Sequence, residues 1–252
     1  MEIADGVHRV YAARGPGVYL LADDDLTLID SGFPGNGPVI AEYVAGMGRR
    51  PSELKRLLLT HAHPDHTGSV PELKAMLPGL RVMAHRADTH RDGEGRTLVS
   101  YLKVFGATGL PIPFLRRVEA DAFLEEGQVL PILGGLVVLH TPGHTPGSVC
   151  FYLESRRVLF PGDNVVNLGD YVGAPVPVPG TNLRQYEASL RRIASMEFDI
   201  ACLAHGQVFR SNADRRIRRM VEWHLSAPAW LRLARVMPRA LRFGRQSGFR
   251  ET

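Results

Sequence analysis

The chain has 252 residues, 44% of them hydrophobic, with 30 basic against 26 acidic side chains. That length suits one domain with a sizeable core, and no apolar run is long enough to cross a membrane. Two cysteines make no disulfide framework, and Met1-Glu2-Ile3-Ala4-Asp5 lacks the basic and apolar regions of a secretory signal; a cytoplasmic protein with Cys150 and Cys202 as buried free thiols is expected.

In chain order, residues 7–12, 18–22 and 26–29 read as strands, with turn chemistry at Gly15-Pro16-Gly17 and Asp23-Asp24-Asp25. Residues 39–47 read as a helix, with Ile40, Tyr43 and Val44 on one face. A strand at 55–60 feeds Thr60-His61-Ala62-His63-Pro64-Asp65-His66, and a single helix is expected from about Thr67 to Met76, ended by Pro78-Gly79. A strand at 81–84 precedes a segment from 85 to 117. Phe123 and the runs 129–130, 136–139, 149–153 and 157–160 read as sheet. An amphipathic helix over 183–196 is expected to take its cap from Thr181 or Asn182.

The tail is set apart by charge. Of the 30 basic residues, 11 arginines lie from residue 208 onward against only Asp214, Glu222 and Glu251. The remaining 19 basic residues face 23 acidic ones, so the pI near 9.3 belongs to the tail and is no argument for nucleic acid. Pro228 starts a helix in which Trp230, Leu233, Ala234, Met237 and Leu241 recur at helical spacing, and Pro238 is expected to kink or interrupt it. The division expected is a catalytic domain over 1–225 and a basic amphipathic tail over 226–252. The tail is expected to cover its stripe against the domain or a second copy in a homodimer, in preference to a membrane surface.

The chemistry begins in the histidine loop. Three imidazoles and a carboxylate within six residues, directly after a buried strand, are a ligand set for zinc or a similar ion. His61 and His63 can converge on one ion while Asp65 and His66 face a second. Four residues in one loop cannot surround two ions, so further ligands are expected from distant loops that also follow strands. Leu136-Val137-Val138-Leu139 leads to His144 in Thr141-Pro142-Gly143-His144-Thr145-Pro146-Gly147; Val158-Leu159-Phe160 leads to Asp163; Ile200-Ala201-Cys202-Leu203 leads to His205.

This order of motifs resembles the metallo-β-lactamase fold superfamily, over residues 18 to about 207. Leu26-Thr27-Leu28-Ile29-Asp30-Ser31-Gly32 is similar to that family's first motif, in which the aspartate orients the histidine loop and does not bind metal. The resemblance implies an α/β, four-layer αββα sandwich. It implies His61, His63 and His144 on the first ion and Asp65, His66 and His205 on the second, with Asp163 bridging. Zinc β-lactamases lack a bridging aspartate, which argues against antibiotic hydrolysis. Lactonases of the family carry a tyrosine three residues after it, where this chain has Val166; Tyr171 is the nearby candidate for that substrate-binding place. The tail is shorter than the glutathione-gripping region of glyoxalase II enzymes, though the glyoxalase II and lactonase-like branch is the one this chain resembles. No stretch suits the extra domain or long arm of RNA-processing members.

Two segments outside the shared motifs are expected to carry specificity. In the first, Leu102, Phe105, Leu110, Ile112 and Phe114 are candidates for an apolar pocket wall, the alternative being plain packing onto the sandwich; Phe105 and Phe114 are the substrate-binding candidates. His85 and His90 there read as surface residues. The second, residues 167–179, holds Tyr171 and an extended Val-Pro-Val-Pro run bordering the cleft. The expectation is a hydrolase of a small-molecule ester, thioester or lactone. It would use two divalent metal ions, zinc with iron or manganese as alternatives, through a hydroxide held between them, with Asp65 as proton acceptor. A mononuclear iron oxidoreductase similar to persulfide dioxygenases, on His61, His144 and Asp163, is the second reading, and a phosphodiesterase the third.

Overall fold

The computed structural model describes residues 1–89, 118–169, 171–177 and 180–247, with side chains as far as 238. Short apolar runs separated by turns build a first mixed sheet in chain order: β1 (Glu2–Ala4), β2 (Val7–Arg9), β3 (Tyr19–Ala22), β4 (Leu26–Ile29), β5 (Leu54–Leu58), β6 (Arg81–His85) and β7 (Ala122–Leu124). The strands from β1 to β4 pair antiparallel, and β4 to β7 run parallel. Parallel neighbours need crossovers. Helix α1 (Gly37–Gly46) supplies the one after β4, and α2 (Pro64–Thr67) with α3 (Val70–Met76) the one after β5.

The second half contributes β8 (Val129–Leu130), β9 (Leu136–His140), β10 (Val149–Leu153) and β11 (Val158–Phe160), then a two-stranded ribbon of β12 (Val166–Asn167) and β13 (Val172–Gly173). Helix α4 (Leu183–Ala194) leads to β14 (Ile200–Ala201), and α5 (Ala213–Ser226) and α6 (Ala229–Ser247) follow. The second sheet has the order β14-β11-β10-β9-β8, antiparallel except where β14 joins β11.

Side-chain alternation sorts these elements into four layers. In β10, Val149, Phe151 and Leu153 face the first sheet, where they meet Tyr19, Leu21, Ile29 and Leu58 in the central core. Cys150, between them, faces α4 and α5 and packs with Leu190, Ile193, Ile217 and Val221. In β5 the neighbour of inward Leu58 is Leu57, which faces Ile40, Val44, Val70 and Leu73 of α1 and α3. Each such leucine or phenylalanine withdraws about 1.5–3 kcal/mol worth of apolar surface from water, and the period of two fixes which layer it serves. The result is the expected αββα sandwich.

Several elements differ from the sequence reading. Helix α1 starts at Gly37, not residue 39, because Pro38 suits a first turn, and the Asn36 carbonyl accepts the Ile40 amide. The single helix expected after the histidine loop is two. The amides of Gly68 and Ser69 donate to Gly32 O and Ser31 Oγ, so this backbone is tied to the loop after β4 and leaves the helical ladder. Asn182, not Thr181, caps α4, its Oδ1 accepting the Gln185 amide. Helix α5 was not expected; its buried stripe of Ile217, Met220, Val221 and His224 lies among arginines that mask the period. Pro238 does not interrupt α6, and it lies on that helix's exposed side. Against its own domain the stripe of α6 is only partly covered: Trp230 is 70% exposed and Met237 42%, while Val236 turns inward and packs on Val166 and Tyr171. Both exposed residues lie about a third of a turn round the helix from Val236. The Leu241 side chain lies outside the described ones. No helix among the described residues is long and apolar enough to cross a membrane.

Candidate metal centre

The proposed ligands collect at one rim because of strand direction. Strands β4, β5 and β6 run parallel, and β9, β11 and β14 share a direction in the second sheet. Loops leaving their C-terminal ends meet across the top of the core: Asp30 after β4, the histidine loop after β5, His144 after β9, Asp163 after β11 and His205 after β14. Loops are where backbone is free to aim side chains, and the two sheets hold those loops rigidly. Gly162 shows how close they come. Its φ is +53°, and a Cβ there would lie 2.9 Å from Thr60 Cβ, so glycine lets the Asp163 turn settle on the base of the histidine loop.

Two groups of donor atoms result, His61–His63–His144–Asp163 and Asp65–His66–His205, each with its atoms within 4.8 Å of one another. Asp163 touches both. Its Oδ2 is 3.4 Å from His144 Nε2 and 3.3 Å from His205 Nε2, and its Oδ1 is 3.3 Å from His66 Nε2. Asp65 Oδ2 is 3.5 Å from His205 Nε2, and His144 Nε2 lies 3.0 Å from His63 Nδ1. All seven predicted ligands are thus brought together.

Hydrogen bonding decides which nitrogen each buried ring offers. Asp30 is itself buried and accepts from the Thr60 amide at 2.8 Å, from Thr60 Oγ1 at 2.8 Å and from His66 Nδ1 at 2.8 Å. That places a proton of His66 on Nδ1 and leaves Nε2 as the atom turned to the other donors. Thr60 Oγ1, having given its proton to Asp30, accepts from His61 Nδ1 at 3.0 Å, so His61 presents a bare Nε2. His61 Nε2, His66 Nε2 and Asp163 Oδ1 are buried without a hydrogen-bond partner. Unpaired buried polar atoms cost about 1–3 kcal/mol each, and a cation among them removes that cost. The donor set of imidazole and carboxylate fits a divalent metal.

The electrostatics differ between the two donor groups. Burial, reinforced by His66 and His63, holds the His61 imidazole well below its usual range, and burial with His144 beside it lowers His63 to about 4, so both stay neutral and available. Burial opposes charge on His66 too, but Asp30, Asp163 and Asp65 outweigh it and raise that imidazole well above its usual value, so without a cation its Nε2 also holds a proton, the one a bound metal would replace. Burial likewise opposes charge on Asp163, but His205 and His66 overcome it and keep the carboxylate ionised.

One residue of the site escaped the sequence reading. Asp88, just past β6 and buried, accepts from the Ala62 amide at 2.9 Å, from Thr145 Oγ1 at 2.8 Å and from the Gly147 amide at 2.6 Å. One carboxylate therefore ties the His61–His63 backbone to the loop of His144. Its sequence signal, one aspartate shortly after a strand, is that of an ordinary turn residue, and it lies in a segment read as specificity-bearing. Among the substrate candidates, Tyr171 is buried, its hydroxyl donating to Ala174 O at 3.0 Å, and its ring lines a pocket that His144 also borders. Phe105 and Phe114, with Leu102, Leu110, Ile112 and His90, lie outside the described residues. His85 stacks on His140, with ring centroids 3.9 Å apart, away from the ligand set. Cys150 and Cys202 are buried free thiols, and burial pushes Cys150 up to about 12.

Comparison with known proteins decides the family. A family model described as the metallo-beta-lactamase superfamily matches residues 14–205. The chain belongs to that superfamily. It is 32% identical over 186 residues, 73% of its length, to an atrochrysone carboxyl ACP thioesterase of Aspergillus fumigatus, and spans 35% of that protein. It is 29% identical over 206 residues to the lactamase-like protein aptB of Emericella nidulans, covering 80% of this chain and 54% of that one. Against the uncharacterised YobT of Bacillus subtilis it is 29% identical over 209 residues, 78% of this chain and 85% of that one. The chain thus spans about a third to a half of the two fungal relatives. Among solved structures, a metallo-beta-lactamase family protein of Thermus thermophilus superposes with a TM-score of 0.67 at 23% identity, over 96% of this chain and 91% of that one. A subclass B3 metallo-beta-lactamase of Bradyrhizobium japonicum gives 0.65 at 23%, over 96% and 95%. At that identity the structures speak for the fold.

Proposed function

We propose that this superfamily member is a metal-dependent hydrolase that cleaves the acyl bond of a small thioester, ester or lactone with two divalent cations in its site. The observation that carries this is the pair of donor groups meeting at Asp163, with buried unpaired Nε2 atoms on His61 in one group and His66 in the other. A single iron on His61, His144 and Asp163 would leave His66 Nε2 buried with no ion to bind, so two ions is the better fit. Imidazole and carboxylate donors favour zinc.

When bound, such ions polarise an acyl oxygen and make a water acidic enough to act near neutral pH. The chain's own residues do the rest. Asp163 lies between the two groups and fixes their spacing. Asp30 sets the proton of His66 on Nδ1 directly, and that of His61 through Thr60, keeping both rings aimed. Asp65, with 28% of its side chain exposed against 7% for Asp163, is the carboxylate that reaches the cleft. It accepts a proton from the attacking water and returns one to the leaving group. The thioesterase name of the Aspergillus fumigatus relative supports a thioester within the acyl class.

Protein made without added metal is expected to carry two zinc per chain and to release free thiol from simple acyl thioesters. Chelation should abolish this and zinc restore it. One iron per chain with no hydrolysis of thioester, ester or lactone would overturn the reading in favour of the oxidoreductase.

A further inference from the structure

An apolar pocket of about 100 Å³ opens beside His144, and its outer wall is made by the C-terminal helix α6, which lies beyond every ligand in the chain. Tyr171 and Tyr186 form one side, Leu233 and Val236 the other. The wall is fixed in place at two points. Val236, 3% exposed, packs on Val166 and Tyr171. Arg232 donates from Nε to Ala227 O at 2.7 Å and from Nη1 to Glu187 Oε1 at 2.8 Å and His224 Nε2 at 3.1 Å.

These contacts limit what the pocket takes. The charge of Arg232, the cation among the described lining residues, is matched by Glu187, so it is committed and does not call for a carboxylate. Apart from His144, His224 and Thr181, the remaining walls are tyrosine rings, prolines and aliphatic side chains, which favour hydrocarbon. The volume is below the roughly 150 Å³ that accepts a benzene, so the hydrocarbon is short. Its border on His144 puts one end of any occupant at the candidate metal centre.

Resting on the hydrolase reading above, we propose that this pocket is the acyl site: it holds an uncharged, short aliphatic chain with the scissile carbonyl beside His144, and Val236 and Leu233 of α6 set the chain length accepted. A substrate is therefore a short-chain acyl thioester or ester in preference to a dicarboxylate or a large aromatic acyl group.

The test uses the full chain loaded with zinc and acetyl, butanoyl, hexanoyl and decanoyl thioesters of one small thiol. For the wild type, kcat/KM should climb about three- to fourfold per methylene while the chain still fits, then fall. Val236→Phe should move the optimum to shorter chains. Leu233→Trp changes a residue that is 43% exposed and spares the fold; it should do the same with metal content unchanged. Binding of 1-hexanol, followed by calorimetry, reads the pocket without turnover and should weaken at least tenfold in both variants. Hexanol binding lost in the variants, with no acyl compound hydrolysed by any of the proteins, would keep the pocket and remove the hydrolase reading. Hydrolysis with the same chain-length profile and the same hexanol affinity in all three proteins would overturn the pocket and leave that reading intact.

Discussion

At the scale of single residues, the site is a set of lone pairs whose direction is set by neighbours that bind nothing themselves. Asp30 orients His66 directly and His61 through the Thr60 hydroxyl, so the motif's first carboxylate acts through two protons. If the seven donors share two ions, His61→Ala and Asp163→Ala should each lose bound metal and lower kcat/KM by at least about a thousandfold, since metal supplies several kcal/mol of transition-state stabilisation. His85→Ala, outside the cluster, should lose neither. Metal analysis of the purified variants checks this, and full metal content in His61→Ala would contradict the assignment. Asp88 belongs at the same scale. Its three hydrogen bonds hold two ligand loops together, so Asp88→Ala should weaken metal affinity about 10- to 100-fold, the range for residues that orient ligands, and Asp88→Asn less. A competition titration with a zinc chelator reads the change; unaltered affinity would show that the loops hold their places unaided.

At the scale of elements, strand direction does the assembling. Every ligand loop follows the C-terminal end of a strand running toward the same rim, and turns with unusual backbone let the loops approach. Gly162 is one of these at the metal centre: alanine there meets both the positive φ and the Thr60 Cβ 2.9 Å away. Gly162→Ala should cost about 1–3 kcal/mol, lowering Tm by several degrees, and should lower metal affinity because Asp163 is displaced with it. Thermal unfolding and metal titration on one sample test both halves. A variant with unchanged Tm would mean that the turn relaxes without strain. Helix α6 shows the other side of element-scale reasoning. Its hydrophobic stripe was read correctly as helical, yet the side that meets the domain is set by Val236 and Arg232, not by Trp230 and Met237.

Across the whole molecule, a buried and a half-buried histidine away from the cluster, His224 and His85, tie stability to pH. Burial, with Arg232 beside it, lowers His224 to about 4, and burial with His140 beside it lowers His85 to about 4. In the unfolded chain both take protons below about 6.5, while the folded protein refuses them. Their neutral forms therefore cost nothing above that pH, and stability is lost as pH falls from about 6.5 toward about 4. Tm measured across that window should fall with acid. In His224→Gln it should fall less steeply, because one refusing group is gone. An equal slope in both proteins would remove His224 from this account.

Much of the architecture was legible in the chain itself. Near-continuous apolar runs at residues 26–29 and 149–153 mark strands buried on both faces. Imidazoles and carboxylates placed just past such strands mark ligands, because only a rigid strand can aim a short loop at a point. The sequence alone thus carried the superfamily likeness and the seven residues that the structure brings together, and that likeness pointed to Asp30 as the residue that orients them. It could not reveal Asp88, since one aspartate after a strand is an ordinary turn residue until the loops of His61 and His144 fold onto it. Helix α5 was hidden because arginines occupy the positions between its buried residues. The pocket wall was assigned by position to Phe105 and Phe114, and what the described structure sets beside His144 is α6, from the far end of the chain. Contacts between residues about 90 positions apart, such as His144 and Val236 across one pocket, leave no periodic trace in sequence. Only the packing of α6 on Val166 and Tyr171 decides them.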